Sequence, residues 1–287
     1  MTDSCVICGA RRLSRFTTLP YFALYSCQEC ASVTALPRPQ PADVIALHDS
    51  AEYFDHPYFA RRRADSERAR QRCAAIGQKL GPSAVASLRS GKHLDIGCDT
   101  GGLLEAAAEL FGTRPVGLDV AARAVALARQ AGIEAHQSDL AGVPHLRGFT
   151  LVTIVDVLEH VADPVGFMRD VESRIEPGGW CYIETPNISS FIYQVGRVLT
   201  TITGARPAWI CQRLFLPEHV QYLSADGLER LAAASSLRVH GRGRRHLSSA
   251  DINTAAPVRL AVSGLQLIDR VLGTELLHWA VLQKPPR

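Results

Sequence analysis

No stretch of the sequence reaches the roughly 20 consecutive apolar residues that a helix needs to cross a bilayer. The opening residues, MTDSCVICGA, also lack the basic and then apolar pattern of a secretion signal. We therefore expect a cytoplasmic protein that makes no contact with a membrane. With 287 residues, 47% of them hydrophobic, the chain can form one full-size α/β core and a small accessory module, but not two large domains.

A strong excess of charge of one sign is also lacking, because the net charge is only +3. The charge is unevenly spread: residues 1–90 carry 12 Lys and Arg against 8 Asp and Glu, and residues 238–287 carry 8 against 3. Residues 91–237, where we place catalysis below, carry 11 against 17. Proteins that track a nucleic-acid backbone usually present a basic face at the reaction site, so this distribution argues against RNA or DNA as substrate.

Composition and periodicity divide the chain into three segments. Residues 1–41 contain short runs separated by turns and end in the stiff segment PRPQP, which predicts a small module. Residues 42–90 show helical periodicity and predict a connector or lid. In residues 91–287 strands and helices alternate, which predicts a parallel, doubly wound sheet with helices on both faces. An aromatic and apolar stretch at about 188–217 predicts a substrate-lid insertion above the carboxyl edge of the sheet.

Local signals place the individual elements of this sheet. Asp163 followed by Pro164 is typical of a helix start, and the Pro-Gly-Gly after Glu176 predicts where that helix stops. The predicted strands are 92–96, 114–119, 133–137, 149–156, 179–185, 237–243 and 275–283, and the predicted late helices are 224–236 and 258–272.

The eight cysteines fall into two groups. Two C-x2-C pairs separated by 18 residues match the spacing of a tetrahedral structural zinc site, with Cys5, Cys8, Cys27 and Cys30 as the ligands. Four sulfur ligands leave no open position for substrate, so we predict a structural ion that replaces a core too small to form by itself. A redox pair is disfavoured, because neither pair follows a strand of a βαβ unit. The remaining cysteines are predicted to be reduced thiols that pack in the interior: Cys73, Cys98, Cys181 and Cys211.

A nucleotide-type site is predicted where the first strand of the sheet meets its helix. HLDIGCDTGGLLEAAAEL, residues 93–110, reads as strand, glycine-rich turn and helix, and Gly97 and Gly101 let the backbone approach a ligand closely. Asp119 closes the next strand about 20 residues later, where a ribose diol would lie. Asp139 and Asp156 follow the next two strands. Several strand-end acids after one glycine turn favour a binding site over a series of unrelated helix caps.

The sequence resembles the class I S-adenosylmethionine-dependent methyltransferases. DIGCDTGG matches their first motif, and IVDVLEHVADP and EPGGWCYIETPN match later ones. More narrowly, it resembles the zinc-ribbon-bearing bacterial members associated with sugar, polysaccharide and natural-product tailoring. That likeness covers nearly the whole chain and includes both cysteine pairs, PRP, EYFDHPYF, PEHVQYL and a final strand followed by Lys-Pro.

The resemblance implies a Rossmann-like sheet of seven strands with the last one antiparallel. It also implies that S-adenosylmethionine is bound with Asp95, Gly97 and Gly101 around its methionine, Asp119 on its ribose, and Asp139 with Leu140 beside its adenine. The full set of expected cofactor residues is Asp95, Gly97, Cys98, Asp99, Gly101, Asp119, Val120, Asp139, Leu140 and Asp156.

Asp99 departs from the family pattern, because these enzymes usually have glycine at its position. Aspartate tolerates a left-handed backbone better than most residues, so the turn can still form. The carboxylate would either contact the ammonium or sulfonium of the cofactor or weaken its binding. The sequence leaves both options open.

Two histidines are expected near the reacting groups. Methyl transfer needs mainly an aligned nucleophile, and a hydroxyl nucleophile must also lose its proton. His160 in DVLEH and His219 in PEHVQY are therefore the candidate general bases, since a neutral imidazole suits that role. A structural hydrogen bond is the competing interpretation for each of them.

The expected function is methyl transfer to a small-molecule acceptor, with a hydroxyl of a sugar or secondary metabolite favoured over an amine or a carbon. One alternative is an RNA methyltransferase that uses the zinc ribbon for recognition, which the basic segment RVHGRGRRH at 238–246 keeps open. Another is a protein that binds S-adenosylmethionine without catalysis, which Asp99 motivates. A monomer or a homodimer is expected.

Overall fold

The computed structural model describes residues 4–19, 22–50, 54, 65–203, 214–216, 218–246 and 256–286. The strands are β1 (Leu13–Thr18), β2 (Ala23–Cys27), β3 (Val33–Leu36), β4 (Lys92–Ile96), β5 (Arg114–Asp119), β6 (Glu134–Gln137), β7 (Phe149–Val155), β8 (Ile175–Pro186), β9 (Gln221–Tyr222), β10 (Arg238–Arg245) and β11 (Leu277–Gln283). The helices are α1 (Pro41–His48), α2 (Ser66–Leu80), α3 (Pro82–Ser87), α4 (Gly102–Phe111), α5 (Ala122–Gln130), α6 (Pro164–Arg174), α7 (Phe191–Thr203), α8 (Ala225–Ala234) and α9 (Ala256–Leu272). None of these described helices combines the length and the apolar character needed to span a membrane.

The larger sheet has seven strands in the order β10-β11-β8-β7-β4-β5-β6. Strands β6, β5, β4, β7 and β8 run parallel, whereas β11 pairs antiparallel with both β8 and β10. This arrangement confirms the predicted α/β class, including the antiparallel last strand. The order reverses at β4, which places the turn after β4 at a topological switch point, where open α/β sheets bind ligands.

The local signals read from the sequence hold at most boundaries. Strands β4 and β5 match their predicted ranges, and the Asp163 carboxylate accepts a hydrogen bond of 3.0 Å from the amide of Gly166 at the start of α6. The main difference is β8, which begins at Ile175 and not at residue 179. Its register against β7 is irregular there, and Gly178 has a φ of 84°, so the Pro-Gly-Gly segment forms a kink inside a strand.

A second sheet joins the amino-terminal segment to the larger domain. Its order is β1-β2-β3-β9, and β3 pairs with β9 through Val33 with Tyr222 and Thr34 with Gln221. The hydroxyl of Ser224 donates to the carbonyl of Cys30. The cysteine-bearing segment is therefore built onto the strand that directly follows His219 in sequence.

The amino-terminal segment and the larger domain also share one apolar core. One cluster of buried side chains includes Leu94 and Ile183 of the sheet, Leu228 of α8, and Cys5 and Ile7 of the amino-terminal segment. Because these side chains share one core, unfolding of the cysteine segment would expose apolar surface of the larger domain as well.

A buried ion-pair cluster connects β8, β10 and α2. Glu184 is 1% exposed, and its two carboxylate oxygens accept hydrogen bonds of 2.5 and 2.7 Å from Arg245, while Arg72 lies 3.7 Å away. The Tyr182 hydroxyl also donates to it at 2.9 Å. Burial alone would raise the pKa of Glu184, but the hydrogen bonds from Arg245 and the charge of Arg72 hold it below its usual range.

We expect Glu184→Gln to lower the free energy of unfolding by about 3 kcal/mol at neutral pH, because it leaves Arg245 without its counter-charge and Arg72 with Asp156 alone. A depressed carboxyl pKa stabilises the fold above the unfolded-state value and loses that effect as the pH falls through the folded-state value. The gap between wild type and variant should therefore shrink on acidification below pH 4.5, the ordinary value for Glu. Urea unfolding at pH 7, 5 and 3.5 would measure this, and a constant gap would contradict it.

Candidate functional site

The turn between β4 and α4 has the backbone geometry of a tight ligand-binding loop. Gly97, Asp99 and Gly101 all have positive φ angles of 76°, 48° and 90°. Asp99 thus adopts the left-handed conformation that glycine would favour at its position. Helix α4 begins directly after this turn, so its unpaired amide groups lie at the same place.

The carboxylate of Asp119 holds this turn against the end of β5. Its Oδ2 accepts a hydrogen bond of 2.8 Å from the amide of Asp99, and its Oδ1 accepts one of 2.9 Å from the amide of Ala121. Burial raises the pKa of Asp119, and the two amide hydrogen bonds oppose that rise. Because a carboxylate offers about four acceptor positions, Asp119 keeps capacity for further donors.

A cleft of about 890 Å³ lies over this turn at the carboxyl edge of the parallel strands. That volume lies within the range of small-molecule and cofactor sites. Nine of the ten sequence-predicted cofactor residues line it: Asp95, Gly97, Cys98, Asp99, Asp119, Val120, Asp139, Leu140 and Asp156. Gly101 lies behind the wall, where a Cβ atom would be 2.1 Å from the Cδ1 of Ile133.

The methionine end of the predicted site is rich in carboxylates. Asp95 is 3% exposed and accepts a hydrogen bond of 2.5 Å from the Thr153 hydroxyl. Burial raises the pKa of Asp95 to about 7. Asp156 has a φ of 57°, and its carboxylate lies 3.5 Å from Arg72 of α2. The arrangement favours a cationic ligand, since the carboxylates outnumber the nearby arginine.

The wall at the predicted adenine end is held by a buried arginine. Arg174, 1% exposed, donates hydrogen bonds of 3.0 Å to the carbonyl of Leu140 and of 3.0 Å to that of Val143. Asp139 caps the same loop by accepting a hydrogen bond of 2.9 Å from the amide of Gly142. Nothing in the sequence indicates this role of Arg174, because an arginine at a helix end is usually a solvated residue.

Gly97 offers a direct test of the turn, because a Cβ atom there would lie 2.4 Å from the Cγ2 of Val157. Gly132 is a matched control, since it has a φ of 83° but no atom within 4 Å of an added Cβ. We expect Gly97→Ala to cost about 1–3 kcal/mol more in unfolding free energy than Gly132→Ala, because only the former forces a side chain of the cleft wall to move. Adding Val157→Ala should remove that excess, and equal losses in both single variants would contradict this account.

Three histidine rings lie in a row beside the cleft. The ring centroids of His48 and His160 are 4.6 Å apart, and those of His160 and His219 are 4.9 Å apart. His48 and His160 line the cleft, whereas His219 is 7% exposed and lies behind them. The two sequence-predicted bases are therefore neighbours, but only one of them faces the cleft.

Burial shifts the pKa values of His219, His160 and the adjacent Glu159. It lowers the pKa of His219 to about 3 and that of His160 well below its usual value. It raises the pKa of the adjacent Glu159 to about 8. Both imidazoles are consequently neutral at pH 7, and each is a weaker base than a histidine in water.

Two polar residues of the cleft wall had no signal in the sequence analysis. His48 comes from α1, and Arg72 comes from α2. A pattern reports only periodicity along its own segment, so it could not show that these helices pack over the carboxyl edge of a sheet formed later in the chain.

Eight aromatic residues could cover the cofactor or acceptor as a lid, although the sequence favours core packing for most of them: Tyr53, Phe54, Tyr58, Phe59, Phe191, Tyr193, Trp209 and Phe215. Phe54 lines the cleft, whereas Tyr193 and Phe215 pack in a separate buried cluster with Phe16 and Tyr222. Those outside the described residues are Tyr53, Tyr58, Phe59 and Trp209.

The four predicted zinc ligands converge on one point of the amino-terminal segment. The sulfur atoms of Cys5 and Cys30 are 3.6 Å apart, those of Cys8 and Cys27 are 3.5 Å apart, and all four lie within 4.8 Å of one another. A tetrahedral zinc ion with bonds of about 2.3 Å would separate its sulfur ligands by about 3.8 Å. The cluster therefore has the dimensions that such an ion requires.

Comparisons with known proteins find methyltransferases among the relatives of this chain. Curated relatives include ubiquinone biosynthesis O-methyltransferases from Chromobacterium violaceum, 29% identical over 162 residues, and from Bordetella bronchiseptica, 30% identical over 160 residues. The alignments cover 53% and 51% of this chain and 66% of each relative, which is just under two thirds of their length.

Solved structures with the same fold include a SAM-dependent methyltransferase from Archaeoglobus fulgidus, with a TM-score of 0.53 and 17% identity. That alignment covers 80% of this chain and 100% of the other. An N-methyltransferase from Haemonchus contortus, solved with phosphomonomethylethanolamine and S-adenosylhomocysteine, has a TM-score of 0.55 and 16% identity over 87% of this chain and 62% of the other. A family model described as a methyltransferase domain matches residues 61–240. Because this match covers more than half of the sequence and includes the glycine turn, Asp119 and most of the residues that line the cleft, the chain belongs to the methyltransferase domain family.

Proposed function

We propose that this protein transfers a methyl group from S-adenosylmethionine to a hydroxyl group of a small molecule. The observation that carries the proposal is the joint placement of the Gly97–Gly101 turn and the Asp119 carboxylate at the head of one cleft of about 890 Å³. A left-handed turn, a helix amino end and a strand-end carboxylate are the parts that recognise a nucleoside with a ribose diol.

Each wall of the cleft suits one part of that ligand. Asp119 would accept hydrogen bonds from the two ribose hydroxyls with the acceptor positions that the amides of Asp99 and Ala121 leave over. Leu140, 3% exposed, and Asp139 would lie beside the adenine. Asp99 and Asp156 would provide negative charge near the sulfonium and the ammonium, and Asp95, buried beside them, would shape the methionine pocket.

Bound S-adenosylmethionine supplies an electrophilic methyl group on its sulfonium. The task of the chain is then to hold an acceptor oxygen in line with that methyl group and to exclude water. His160 is the predicted general base that lines the cleft, and His219 supports it from behind with their ring centroids 4.9 Å apart. Since both imidazoles are weak bases, we infer that positioning contributes more to the rate than proton removal by either ring.

Two observations favour a hydroxyl group of a small molecule as the acceptor. The curated relatives are named O-methyltransferases, which supports a hydroxyl acceptor. Within the basic segment Arg245 pairs with buried Glu184, Arg242 pairs with Glu229, and Arg244 donates to the carbonyl of Gly273. The two carboxylates neutralise Arg242 and Arg245 and leave less positive charge for a nucleic-acid backbone, so a small molecule is favoured over RNA. A sugar or a secondary metabolite remains the predicted acceptor class.

We further propose that Cys5, Cys8, Cys27 and Cys30 hold a structural zinc ion. The sulfur separations support this, and so does the attachment of the cysteine segment to β9. In that position the ion would stabilise the strand that follows His219 and would take no part in the reaction.

Isothermal titration calorimetry of the purified, zinc-loaded protein with S-adenosylhomocysteine tests the proposal. We expect saturable binding at one site per chain, followed by methylation of at least one hydroxyl compound in a screen of nucleotide sugars, phenols and pathway intermediates. Binding without turnover on any acceptor would favour the non-catalytic alternative. Absence of binding by folded protein would overturn the proposal.

A further inference from the structure

A compact set of metal-binding side chains lies beside the cleft, apart from the four cysteines. Glu159, His160 and His219 each place one ligand atom within 4.8 Å of the others. Glu159 is 1% exposed and His219 is 7% exposed, so the set is sheltered from solvent. Only His160 of the three lines the cleft, which puts the set between the protein interior and the bound molecules.

The two segments that carry these side chains are held together by hydrogen bonds to backbone carbonyl groups. The amide of Val220 donates to the carbonyl of Glu159 at 3.0 Å, and the side-chain amide of Gln221 donates to the carbonyl of Leu158 at 2.6 Å. The Nδ1 of His160 bonds to the carbonyl of Glu218 at 2.9 Å. The three side chains are therefore brought together by interactions that do not depend on a ligand between them.

The hydrogen bonds around the set match those that orient metal ligands. Because a carbonyl oxygen only accepts, the Nδ1 of His160 is the donor, and the Nε2 of the neutral ring keeps its lone pair. The Thr185 hydroxyl donates to the Oε2 of Glu159 at 3.0 Å and fixes the carboxylate. Metal-binding histidines and carboxylates characteristically have such outer partners.

One polar atom of the set lacks an explanation in the fold. Within the described part of the chain, the buried Nδ1 of His219 has no hydrogen-bond partner. Most buried polar atoms are paired, and an orphaned one calls for an ion or a water molecule. The ring neighbours of His219 are His160 and Tyr222, and neither is bonded to this nitrogen.

We propose that Glu159, His160 and His219 bind a divalent transition-metal ion at the side of the cleft. Two imidazoles and one carboxylate form a ligand set that suits Zn²⁺, Mn²⁺ or Fe²⁺ and leaves coordination positions open. Because His160 lines the cleft, an open position faces the place where the acceptor binds.

This role deepens the proposed function and rests on it for the identity of the reaction. It replaces the general-base role of His160, because a metal-bound Nε2 has no lone pair left to accept a proton. The acceptor would be a molecule whose hydroxyl oxygen ligates the ion. Ligation lowers the pKa of that hydroxyl, so its proton leaves to solvent without a strong protein base. The resulting oxygen anion attacks the methyl carbon, an O–C bond forms as the C–S bond breaks, and the electron pair of that bond stays on sulfur.

Titration with Mn²⁺, followed by electron paramagnetic resonance of the free ion, tests the site directly. Protein carrying one equivalent of Zn²⁺ is used, because thiolates select zinc and Mn²⁺ competes poorly for them. We expect one Mn²⁺ to bind per chain. Glu159→Gln and His219→Ala should each weaken binding by about tenfold or more. His136→Ala should leave it unchanged, because His136 lies in β6 at the far edge of the sheet.

Glu159→Gln keeps an acceptor for the Thr185 hydroxyl, so it remains informative if His219→Ala does not fold. Mn²⁺ binding that is absent, or that is equal in wild type and Glu159→Gln, overturns the metal site. Calorimetry with S-adenosylhomocysteine on the same samples separates the two proposals. Cofactor binding without Mn²⁺ binding would leave the methyltransferase proposal standing and remove the ion.

Discussion

Replacing Asp119 by asparagine is expected to weaken S-adenosylhomocysteine binding by about 100-fold or more, which corresponds to about 2.7 kcal/mol. The carboxylate accepts hydrogen bonds from the amides of Asp99 and Ala121 and, in the proposed complex, from the ribose hydroxyls. Asparagine can accept at only one of its two terminal atoms, and it loses the charge that strengthens each bond. Both the turn and the ligand therefore lose a partner from one substitution.

Asp226→Asn is a matched control, because Asp226 is an exposed aspartate of α8 that pairs with Arg230 and does not line the cleft. The Asp226→Asn variant should bind S-adenosylhomocysteine with the same affinity as the wild type. Thermal unfolding of both variants separates lost binding from lost folding. Wild-type affinity in Asp119→Asn would remove the observation on which the proposed function rests.

Replacing Cys8 by serine is expected to release the zinc ion and to unfold the amino-terminal sheet. Cys8 is the only partly exposed member of the four cysteines, so the substitution removes a ligand with little loss of packing. A structural zinc site contributes folding free energy on the order of 10 kcal/mol or more, far above the effect of one buried side chain. Because β3 pairs with β9, the loss should extend to Gln221 and Tyr222 and loosen the segment that holds His219.

Zinc content by mass spectrometry and amide hydrogen exchange across β1, β2, β3 and β9 would measure these effects. Cys73→Ala serves as the control, since Cys73 is buried in α2 outside the cluster and its removal should leave the zinc content unchanged. Retention of zinc and of exchange protection in Cys8→Ser would show that Cys8 is not a required ligand of the ion.

Local sequence patterns predicted a large part of the sheet, and β8 shows where they reach their limit. Strands β4 and β5 are short apolar runs bounded by turn residues, so their ends could be read from the chain itself. The start of β8 could not, because Pro-Gly-Gly usually ends an element and only pairing with β7 keeps it inside a strand.

The candidate site likewise contains residues that the sequence predicted and residues that only the fold shows. The glycine turn and Asp119 form a compact motif with fixed spacing, so both were predicted to lie together and the structure places them in contact. His48 and Arg72 were missed, because each belongs to a helix whose packing partner lies far along the chain. His160 and His219 were predicted as alternative bases, and only the fold shows their rings to be 4.9 Å apart.

By itself, the sequence determined the class of sheet, the position of the glycine turn and the two cysteine pairs, because each is carried by a motif or a periodicity that can be read along the chain. Only the tertiary structure decided that β9 completes the amino-terminal sheet, that Glu184 is enclosed by two arginines, and that Glu159, His160 and His219 converge beside the cleft. These features arise from the packing of distant segments around one core, where burial and charge depend on neighbours that no local pattern specifies.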